Sequence, residues 1–325
     1  MFVAVNFHYV RPKYDNPFAG IHGVTPEELE RQLMSLASVA PFLSASDVSA
    51  AVTGGTPLPE RAWFVTFDDG LREQFVHGLP VLDSLGIPAI LFPNTAPIET
   101  ATVASVHKLH LVRATTSPGE LEEAISDFAG GRGIDMGESA VRPDLAEAQY
   151  PYDRPPVARL KYLVNFVLSG AEREELVSKL FVEFIGEDEA EVSRDLYMSP
   201  DQLRVLADRG ALGTHAHDHV PLGSLPHEQA RDQIMQSMSL LESWTGHVVD
   251  ALSYPFGSRE ACVSAAAAAR EAGIRWAITM ERAVNKDLEE PLLLSRFANN
   301  DVEKVASTGS AARAFDARTR RWCAD

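Results

Sequence analysis

The stretch RAWFVTFDDG, residues 61–70, decides the fold class of this chain. Its first part is rich in β-branched and aromatic residues, which predicts a buried strand that runs directly into Asp68 and Asp69. Residues 71–85 carry apolar side chains at helical spacing, and after Gly86 the segment IPAILF predicts a further strand. Strand, helix and strand in this order are typical of a parallel sheet or a barrel with helices outside.

The same alternation extends on both sides of this unit. FVAVNFHYV (2–10) predicts a first strand, and Thr25 followed by proline and two glutamates predicts a helix from there to about Ala40. From residue 97 to residue 200 the alternation stops, with helical patterns near 120–129, 156–168 and 171–185 and no convincing strand. We therefore predict a mainly helical insertion at about 97–200.

The alternation resumes after this insertion. The predicted elements are a helix from 199 to 209, a short strand at 211–215, a helix at 226–244, a strand at 249–254, a helix at 259–272, a strand at 274–279, and the apolar run PLLLSRF before a C-terminal helix. All of the patterns outside the insertion fit one α/β domain.

Composition and charge exclude several classes of function. The chain has 325 residues, of which 45% are hydrophobic and 23% charged, as in ordinary globular proteins. Its formal net charge of −17 opposes binding to nucleic acid or to an anionic membrane, because both require positive surface. We expect a neutral substrate, or an anionic one that is bound locally.

The cysteines and the apolar runs indicate the compartment. Cys262 and Cys323 form neither a disulfide framework nor a CxxC metal pattern, so we expect reduced thiols. The N-terminus lacks the features of a signal peptide, and no apolar run reaches the roughly 18 to 20 residues of a membrane helix. We therefore expect a cytoplasmic protein without an integral membrane segment; its oligomeric state is not predicted.

Two adjacent carboxylates stand at the end of the central strand. Burying Asp68 and Asp69 without a partner would cost several kcal/mol, roughly, unless a metal, backbone amides or a shared proton compensated for it. Asp-Asp-Gly is also a common turn, so this segment alone leaves both interpretations open.

The stretch GTHAHDHVPL, residues 213–222, carries three histidines at alternate positions. A helical turn after the strand would place His215 and His219 on one side, at i and i+4, with His217 directed elsewhere. A continued strand would instead place all three on one side, but a nearby proline and the short apolar run favour the turn. Two imidazoles and one carboxylate are the ligand set of a hydrolytic zinc site, which Asp69 completes while Asp68 is left free.

A third segment, LSYPFGSRE (252–260), predicts a strand, a turn and a helix at the same sheet edge. In this order, TFDDG, the His-x-x-x-His segment and Pro-aromatic-Gly together resemble the polysaccharide deacetylase family, the NodB homology domain of carbohydrate esterase family 4. The resemblance covers residues 1–95 and 199–300 in outline and leaves the insertion unmatched. It implies a distorted (β/α) barrel of about seven strands, in a single catalytic domain of residues 1–325 that carries the helical insertion.

The resemblance also implies roles for individual residues. Asp68 is expected to be the catalytic base that takes a proton from a metal-activated water. Asp69, His215 and His219 are expected to hold one divalent metal, with Zn²⁺ first and Co²⁺ or Ni²⁺ as alternatives. Phe256 stands where the family has an aromatic residue whose backbone amide helps to bind the oxyanion. We predict the neighbouring residues Tyr254 and Pro255 as sugar contacts.

The chain departs from the family pattern at three positions. Ala216 replaces the usual Ser or Thr after the first metal histidine, and Ser253 stands where an arginine normally pairs with the base. Arg296, in PLLLSRF, is expected either to replace that arginine or to be an ordinary surface charge. The C-terminal histidine that normally acts as the general acid is missing, and His8 is predicted either to replace it or to be a structural histidine. In the insertion, the candidate lid residues are His107, His110, Arg154 and Lys161, for which helix-surface roles are the alternative.

The predicted function is metal-dependent N-deacetylation of an N-acetylated sugar or sugar conjugate. The expected substrate is a nucleotide- or lipid-linked precursor in the biosynthesis of a surface polysaccharide such as an O-antigen or a capsule. One alternative is hydrolysis of another C–N bond, in a cyclic imide or ureide, on the same fold. A second alternative is a catalytically silent sugar-binding or scaffold domain.

Overall fold

In the computed structural model, the described residues are 1–134, 142–149, 155–286, 288–302 and 311–316. They belong to two compact units, one made of Met1–Lys13, Gly23–Thr102 and Ala190–Asp325 and the other of Tyr14–His22 and Val103–Glu189. Among the described residues, no helix is both long enough and apolar enough to span a membrane.

The first unit contains every named strand. The strands are β1 (Phe2–Phe7), β2 (Tyr9–Val10), β3 (Gly23–Val24), β4 (Phe42–Leu43), β5 (Ala62–Asp69), β6 (Ala89–Pro93), β7 (Ala251–Ser253), β8 (Trp276–Ile278) and β9 (Arg296–Ala298). The α-helices whose full bounds lie within the described residues are α1 (Pro26–Ala37), α2 (Ala45–Val52), α3 (Leu79–Leu85), α4 (Ala96–Thr100), α5 (Ser105–Thr115), α6 (Pro118–Gly130), α7 (Pro143–Gln149), α8 (Pro155–Tyr162), α9 (Gly170–Phe184), α10 (Glu189–Leu196), α11 (Pro200–Asp208), α12 (His227–Thr245), α13 (Arg259–Cys262) and α14 (Ala266–Glu271). Outside the insertion, this order of elements follows the predicted α/β alternation in outline, and β3, β4, α2 and α4 are additional elements that were not predicted.

The central strand is β5. It pairs in parallel with β1 from Phe2↔Ala62 to Phe7↔Phe67 and with β6 from Val65↔Ala89 onwards. Because β1 and β6 both pair with residues 65–67, they lie on opposite edges of β5. β4 pairs in parallel with the beginning of β5, and β9 pairs in parallel with β1. The prediction of an α/β fold with a parallel sheet is confirmed.

Residues 211–215, predicted as a short strand, are connected on both sides by single parallel bridges. Leu212 bridges Leu91 of β6, and Thr214 bridges Leu252 of β7. The backbone amides of this segment alternate in the same way, since His215 donates to the carbonyl of Pro93 at 2.9 Å and Thr214 to that of Ala251 at 2.9 Å. His215 therefore lies level with the C-terminal end of β6, beside the end of β5.

The core explains why β5 carries its carboxylates into a buried position. All eight residues of β5 are buried, and alternate side chains pack on opposite faces. Trp63 packs with α1, where its indole donates to the carbonyl of Leu36 at 2.9 Å, whereas the Phe64 ring packs against Trp276 of β8 at 5.7 Å between ring centroids. A strand that is covered on both faces ends in a buried position.

Helix boundaries follow the local signals in part. Thr25 caps α1 through the reciprocal capping box with Glu28, as the sequence predicts, although α1 ends at Ala37. The helix predicted at 71–85 contains a π-helical turn at Gln74–Gly78. The helix predicted at 259–272 is divided into α13 and α14 by a 3₁₀ turn at Val263–Ala265, where Ser264 donates from its hydroxyl to the carbonyl of Gly223 at 2.9 Å.

The second unit is helical. It contains α5 to α9, and its described residues include no strand. The segment Tyr14–His22, which precedes the insertion by eighty residues, belongs to this unit, because the amide of Phe18 donates to the carbonyl of Ala114 at 3.1 Å. Lys108 of α5 pairs with Glu189 at 2.8 Å. The part of the predicted insertion that belongs to this unit runs from Val103 to Glu189.

Candidate metal centre and catalytic carboxylate

Asp68 and Asp69 are the last two residues of β5, where they are 3% and 4% exposed. Asp69 has φ 78° and Gly70 has φ 66°, so two consecutive residues in the left-handed region end the strand. Aspartate tolerates this backbone better than most side chains. The sharp end keeps both carboxylates at the C-terminal edge of the sheet.

Three side chains converge at this edge and fit a divalent metal. The Nε2 atoms of His215 and His219 lie 3.5 Å and 3.3 Å from Oδ1 of Asp69. The three ligand atoms lie within 4.8 Å of one another, and the two imidazole centroids are 5.1 Å apart. Two imidazole nitrogens and one carboxylate oxygen are the donor set of catalytic zinc sites, with further positions left for water or substrate. The structure thus brings together the three predicted ligands.

The orientation and charge of His215 suit a metal ligand. Its Nδ1 lies 2.6 Å from the backbone carbonyl of Ser253, so Nδ1 carries the proton and donates it, and Nε2 faces Asp69 as an acceptor. Burial lowers the pKa of His215 from 6.5 to about 4. The imidazole is therefore neutral at pH 7, the form in which it binds a metal.

The loop that follows His215 reaches this geometry without the predicted helical turn. Residues 216–221 form no helix, and two of them, Ala216 with φ 60° and His219 with φ 51°, have left-handed backbone. The helical prediction is wrong, although the pair of histidines that it selected does converge. Contacts on both sides hold the loop, since Asn94 donates to the carbonyl of His215 at 2.5 Å and Gln233 accepts from the amide of Asp218 at 2.9 Å.

His217 points away from the other two histidines. Its Nδ1 lies 2.9 Å from the hydroxyl of Thr95, and its Nε2 lies 2.9 Å from Nε2 of Gln236 in α12. It is 7% exposed. Because Gln236 donates to Nε2 in this arrangement, Nδ1 carries the proton and donates to Thr95. His217 therefore connects the loop that follows His215 to Thr95 and to α12.

Asp68 is held by Arg296 of β9. The guanidinium donates from Nη1 to Oδ1 at 2.9 Å and from Nη2 to Oδ2 at 2.7 Å, and Arg296 is 0% exposed. Burial by itself raises the pKa of Asp68, but the charge of Arg296 outweighs it, together with the charge that His215 gains at acidic pH, and the pKa is about 2. Of the two interpretations of Arg296, the structure favours the first, because it places the side chain against Asp68, the predicted base, and not on the surface.

The departure at Ser253 is compatible with this arrangement. Nη2 of Arg296 donates to the hydroxyl of Ser253 at 3.0 Å, and Nε donates to the carbonyl of Thr279 at 3.3 Å. Ser253 thus stands where the family has its arginine, and it contacts Arg296, which reaches Asp68 from β9 instead.

Three residues that contact Asp68 or Arg296 were not predicted from the sequence: Asn6, Thr66 and Gln74. Asn6 donates to Oδ2 of Asp68 at 3.0 Å, and Gln74 donates to the backbone carbonyl of Asp68 at 2.6 Å. Thr66 accepts from Nη1 of Arg296 at 3.2 Å. A signal was present, because polar residues stand two apart in otherwise apolar strands, at Asn6 and His8 and at Thr66 and Asp68.

His8 follows β1 at the same edge and is exposed. Its Nε2 lies 3.5 Å from Nδ2 of Asn6, and Gln74 donates to its backbone carbonyl at 3.0 Å. The side chain of His8 is therefore accessible to a ligand. The side chain of Asn6 lies between it and the carboxylate of Asp68.

The turn after β7 contains the three remaining predicted residues. Phe256 has φ 64°, is 40% exposed, and packs its ring 5.0 Å from that of His219. Tyr254 is 1% exposed and donates from its hydroxyl to the carbonyl of Leu292 at 3.0 Å, while Pro255 is buried. The structure therefore does not place Tyr254 as a sugar contact, because its side chain is directed into the apolar core. Only Phe256 presents a side chain to solvent.

The candidate lid residues lie in the second unit or outside the described residues. His107 is buried in α5, with its ring 5.9 Å from that of His110, and Lys161 lies in α8. Arg154 lies outside the described residues.

Comparisons with known proteins agree with the motifs. Residues 166–277 match the family model described as polysaccharide deacetylase; this segment includes the two candidate metal ligands His215 and His219 and the turn at Phe256, and it does not reach Asp68 or Asp69. The poly-beta-1,6-N-acetyl-D-glucosamine N-deacetylases of Escherichia coli K12 and O157:H7 are each 29% identical to this chain over 105 residues. That alignment covers 28% of this chain and 16% of each relative.

Solved structures extend the similarity to the fold. IcaB from Ammonifex degensii has a TM-score of 0.57 at 16% identity over 97% of both chains. The Streptococcus pyogenes deacetylase PplD has a TM-score of 0.56 at 12% identity over 91% of both chains, and the deacetylase domain of BpsB from Bordetella bronchiseptica has 0.52 at 16%, over 91% of this chain and 95% of that one. At these identities the likeness shows the fold. Together with the family model over residues 166–277, it confirms the resemblance that the three motifs predicted: this chain is similar to the polysaccharide deacetylases in that segment and in its fold.

Proposed function

We propose that this chain is a metal-dependent hydrolase that removes the acetyl group from an N-acetylated sugar. The observation that carries the proposal is the placement of an ionised, arginine-held carboxylate, Asp68, directly beside the Asp69, His215 and His219 donor set. A general base next to a metal site is an arrangement that supports metal-assisted hydrolysis of an amide.

Asp69, His215 and His219 would hold the ion, with Zn²⁺ as our first choice and Co²⁺ or Ni²⁺ as alternatives. Such an ion supplies Lewis acidity towards the acetyl carbonyl and towards the attacking water. Two imidazoles and one carboxylate suit these borderline metals better than Mg²⁺ or Ca²⁺, which prefer oxygen ligands.

The remaining steps fall to the chain's own residues. Asp68 takes a proton from the attacking water, and its low pKa of about 2 ensures that it is ionised before each turnover. The backbone amide of Phe256 donates to the developing oxyanion. His8, which is exposed beside Asp68, gives a proton to the departing amine, so that acetate and a free amino sugar result.

For the substrate, we propose a nucleotide- or lipid-linked precursor sugar, used in the cytoplasm to make a surface polysaccharide such as an O-antigen or a capsule. The support for an N-acetylated amino sugar comes from the E. coli relatives, which are named for N-acetyl-D-glucosamine. We also propose that the sheet closes into a distorted barrel of about seven strands, since the single bridges at Leu212, Thr214 and Leu294 extend its parallel pairing.

Acetate release tests the function directly. Purified protein is assayed for bound metal and for acetate released from N-acetylglucosamine oligomers and from UDP-N-acetylglucosamine. We expect about one divalent ion per chain and release that is lost in Asp68→Asn but kept in Asp83→Asn, an exposed aspartate that pairs with Arg209. Bound metal with no acetate release from any N-acetylated sugar would favour a silent sugar-binding domain or a different C–N bond. No metal, with His215→Ala indistinguishable from wild type, would contradict the proposal.

A further inference from the structure

The side chain of Asn6 lies between the proposed base and the proposed acid. It is 1% exposed, and its Nδ2 lies 3.0 Å from Oδ2 of Asp68 and 3.5 Å from Nε2 of His8. Its Oδ1 accepts from the hydroxyl of Thr66 at 3.1 Å. Asn6 and Thr66 face each other in the pairing of β1 with β5, so the strand register fixes this contact.

The chemistry of these contacts determines the orientation of the Asn6 amide. An ionised carboxylate is only an acceptor, so the Asn6 atom that faces Asp68 must be the NH₂ group. The opposite atom, Oδ1, then faces the hydroxyl of Thr66, which can donate to it. The alternative amide orientation would set two acceptors against each other at 3.0 Å.

The hydrogen bonds to Asp68 are divided unevenly between its two oxygens. Oδ2 accepts from Nη2 of Arg296 and from Asn6, whereas within the described part of the chain Oδ1 accepts only from Nη1 of Arg296. Each carboxylate oxygen has two lone pairs in its plane. Oδ2 is therefore saturated, and Oδ1 retains a lone pair.

We propose that Asn6 is a positioning residue for the proposed deacetylation, on which this inference rests. By occupying the second lone pair of Oδ2, Asn6 assigns proton acceptance to Oδ1 of Asp68. Asn6 itself neither gains nor loses a proton: the proton moves from water to Oδ1, and a separate one moves from His8 to the amine.

The test uses two substitutions that remove the amide. Asn6→Leu keeps a similar volume without a donor, and Asn6→Ala serves if the leucine variant fails to fold. We expect kcat to fall about 10- to 100-fold, the range expected when a catalytic group is misplaced, with KM and metal content unchanged. The control is Thr245→Val, which removes a buried hydroxyl bonded to Leu241 at the end of α12 and should leave kcat unchanged.

A second readout does not depend on deacetylation. The ¹³C shift of the Asp68 carboxyl carbon in metal-free protein should change in both Asn6 variants and not in Thr245→Val, because a donor to Oδ2 is lost. A folded Asn6→Leu protein with wild-type kcat would overturn the positioning role. If wild-type protein releases no acetate, the proposed function fails, and an unchanged Asp68 carboxyl shift in the Asn6 variants would then overturn the hydrogen-bond assignment as well.

Discussion

Arg296 and Asp68 form a buried, two-pronged ion pair that spans three strands. The side chain of Arg296 extends from β9 towards β5. Its Nη1 donates to the hydroxyl of Thr66 at 3.2 Å, and its two terminal nitrogens donate to the carboxylate of Asp68 at 2.9 and 2.7 Å. β1 lies between β9 and β5 in the sheet. The pair therefore links two strands that are not adjacent and fixes the carboxylate beside the candidate metal site.

Arg296→Met should be strongly destabilising. Removing one partner of a buried pair leaves an uncompensated charge, which costs about 3–5 kcal/mol in the free energy of unfolding. Urea denaturation of metal-free protein measures this cost, with Arg282→Met as the control, since Arg282 pairs with Asp301 at a more exposed position and should cost about 0–1 kcal/mol. The double variant Arg296→Met/Asp68→Asn should recover part of the loss. Equal costs for the two arginine variants would contradict this account.

Metal binding should depend on the three converging side chains. Asp69→Ala, His215→Ala and His219→Ala should each lower the bound metal from about one ion per chain to near zero, because a three-ligand site rarely keeps its affinity with two. Elemental analysis after dialysis gives the stoichiometry. His227→Ala, which removes an exposed histidine paired with Glu271, is the matched control and should keep the ion. Retention of the ion in all three alanine variants would place the metal elsewhere.

Metal-free protein should lose stability as the pH falls from 6.5 to 4. Burial lowers the pKa of His215 to about 4 in the folded chain from 6.5, so between these values the unfolded chain binds the proton and the folded chain does not. Stability from this group is complete above pH 6.5 and decreases at up to about 1.4 kcal/mol per pH unit as the pH falls. Urea midpoints at pH 7.0 and 4.5 should differ less for His215→Gln than for wild type. An identical difference in both proteins would refute the assignment.

Asp68 should contribute at still lower pH. Its folded pKa of about 2 is below its ordinary value of 3.8, so its contribution to stability is present above pH 3.8 and is lost as the pH falls through 2. Comparing wild type with Asp68→Asn by urea denaturation at pH 5 and pH 2.5 isolates this contribution. The difference between the two proteins should shrink at the lower pH, and a constant difference would contradict the prediction.

Gly257→Ala should cost more than Gly86→Ala, although both glycines have left-handed backbone, with φ 66° and 63°. A Cβ at Gly257 would lie 2.5 Å from Cγ of Met280, whereas a Cβ at Gly86 meets nothing within 4 Å. The Gly86 variant should cost about 1–2 kcal/mol, for the backbone alone, and the Gly257 variant clearly more. Thermal denaturation gives the difference. Equal losses would show that Met280 moves aside freely.

Much of the fold followed from local patterns. The apolar run of β5 predicted a buried strand, and the two aspartates after it marked where the strand ends. Thr25 and the glutamates after it predicted the start of α1. These features depend on neighbours within a few residues, which sequence displays directly. The spacing of His215 and His219 selected the right pair, but through a helical turn that the loop does not form.

The sequence by itself determined the α/β class, the parallel sheet and the residue types gathered at its C-terminal edge. Only the tertiary structure decided how they meet. The loop after His215 uses left-handed backbone at Ala216 and His219. Arg296 reaches Asp68, and Asn6 donates to Oδ2 of the same carboxylate. The physical reason is sequence distance, because 228 residues separate Arg296 from Asp68 and 62 separate Asn6 from it. Such contacts depend on strand order and register, which the pattern within any one segment does not contain.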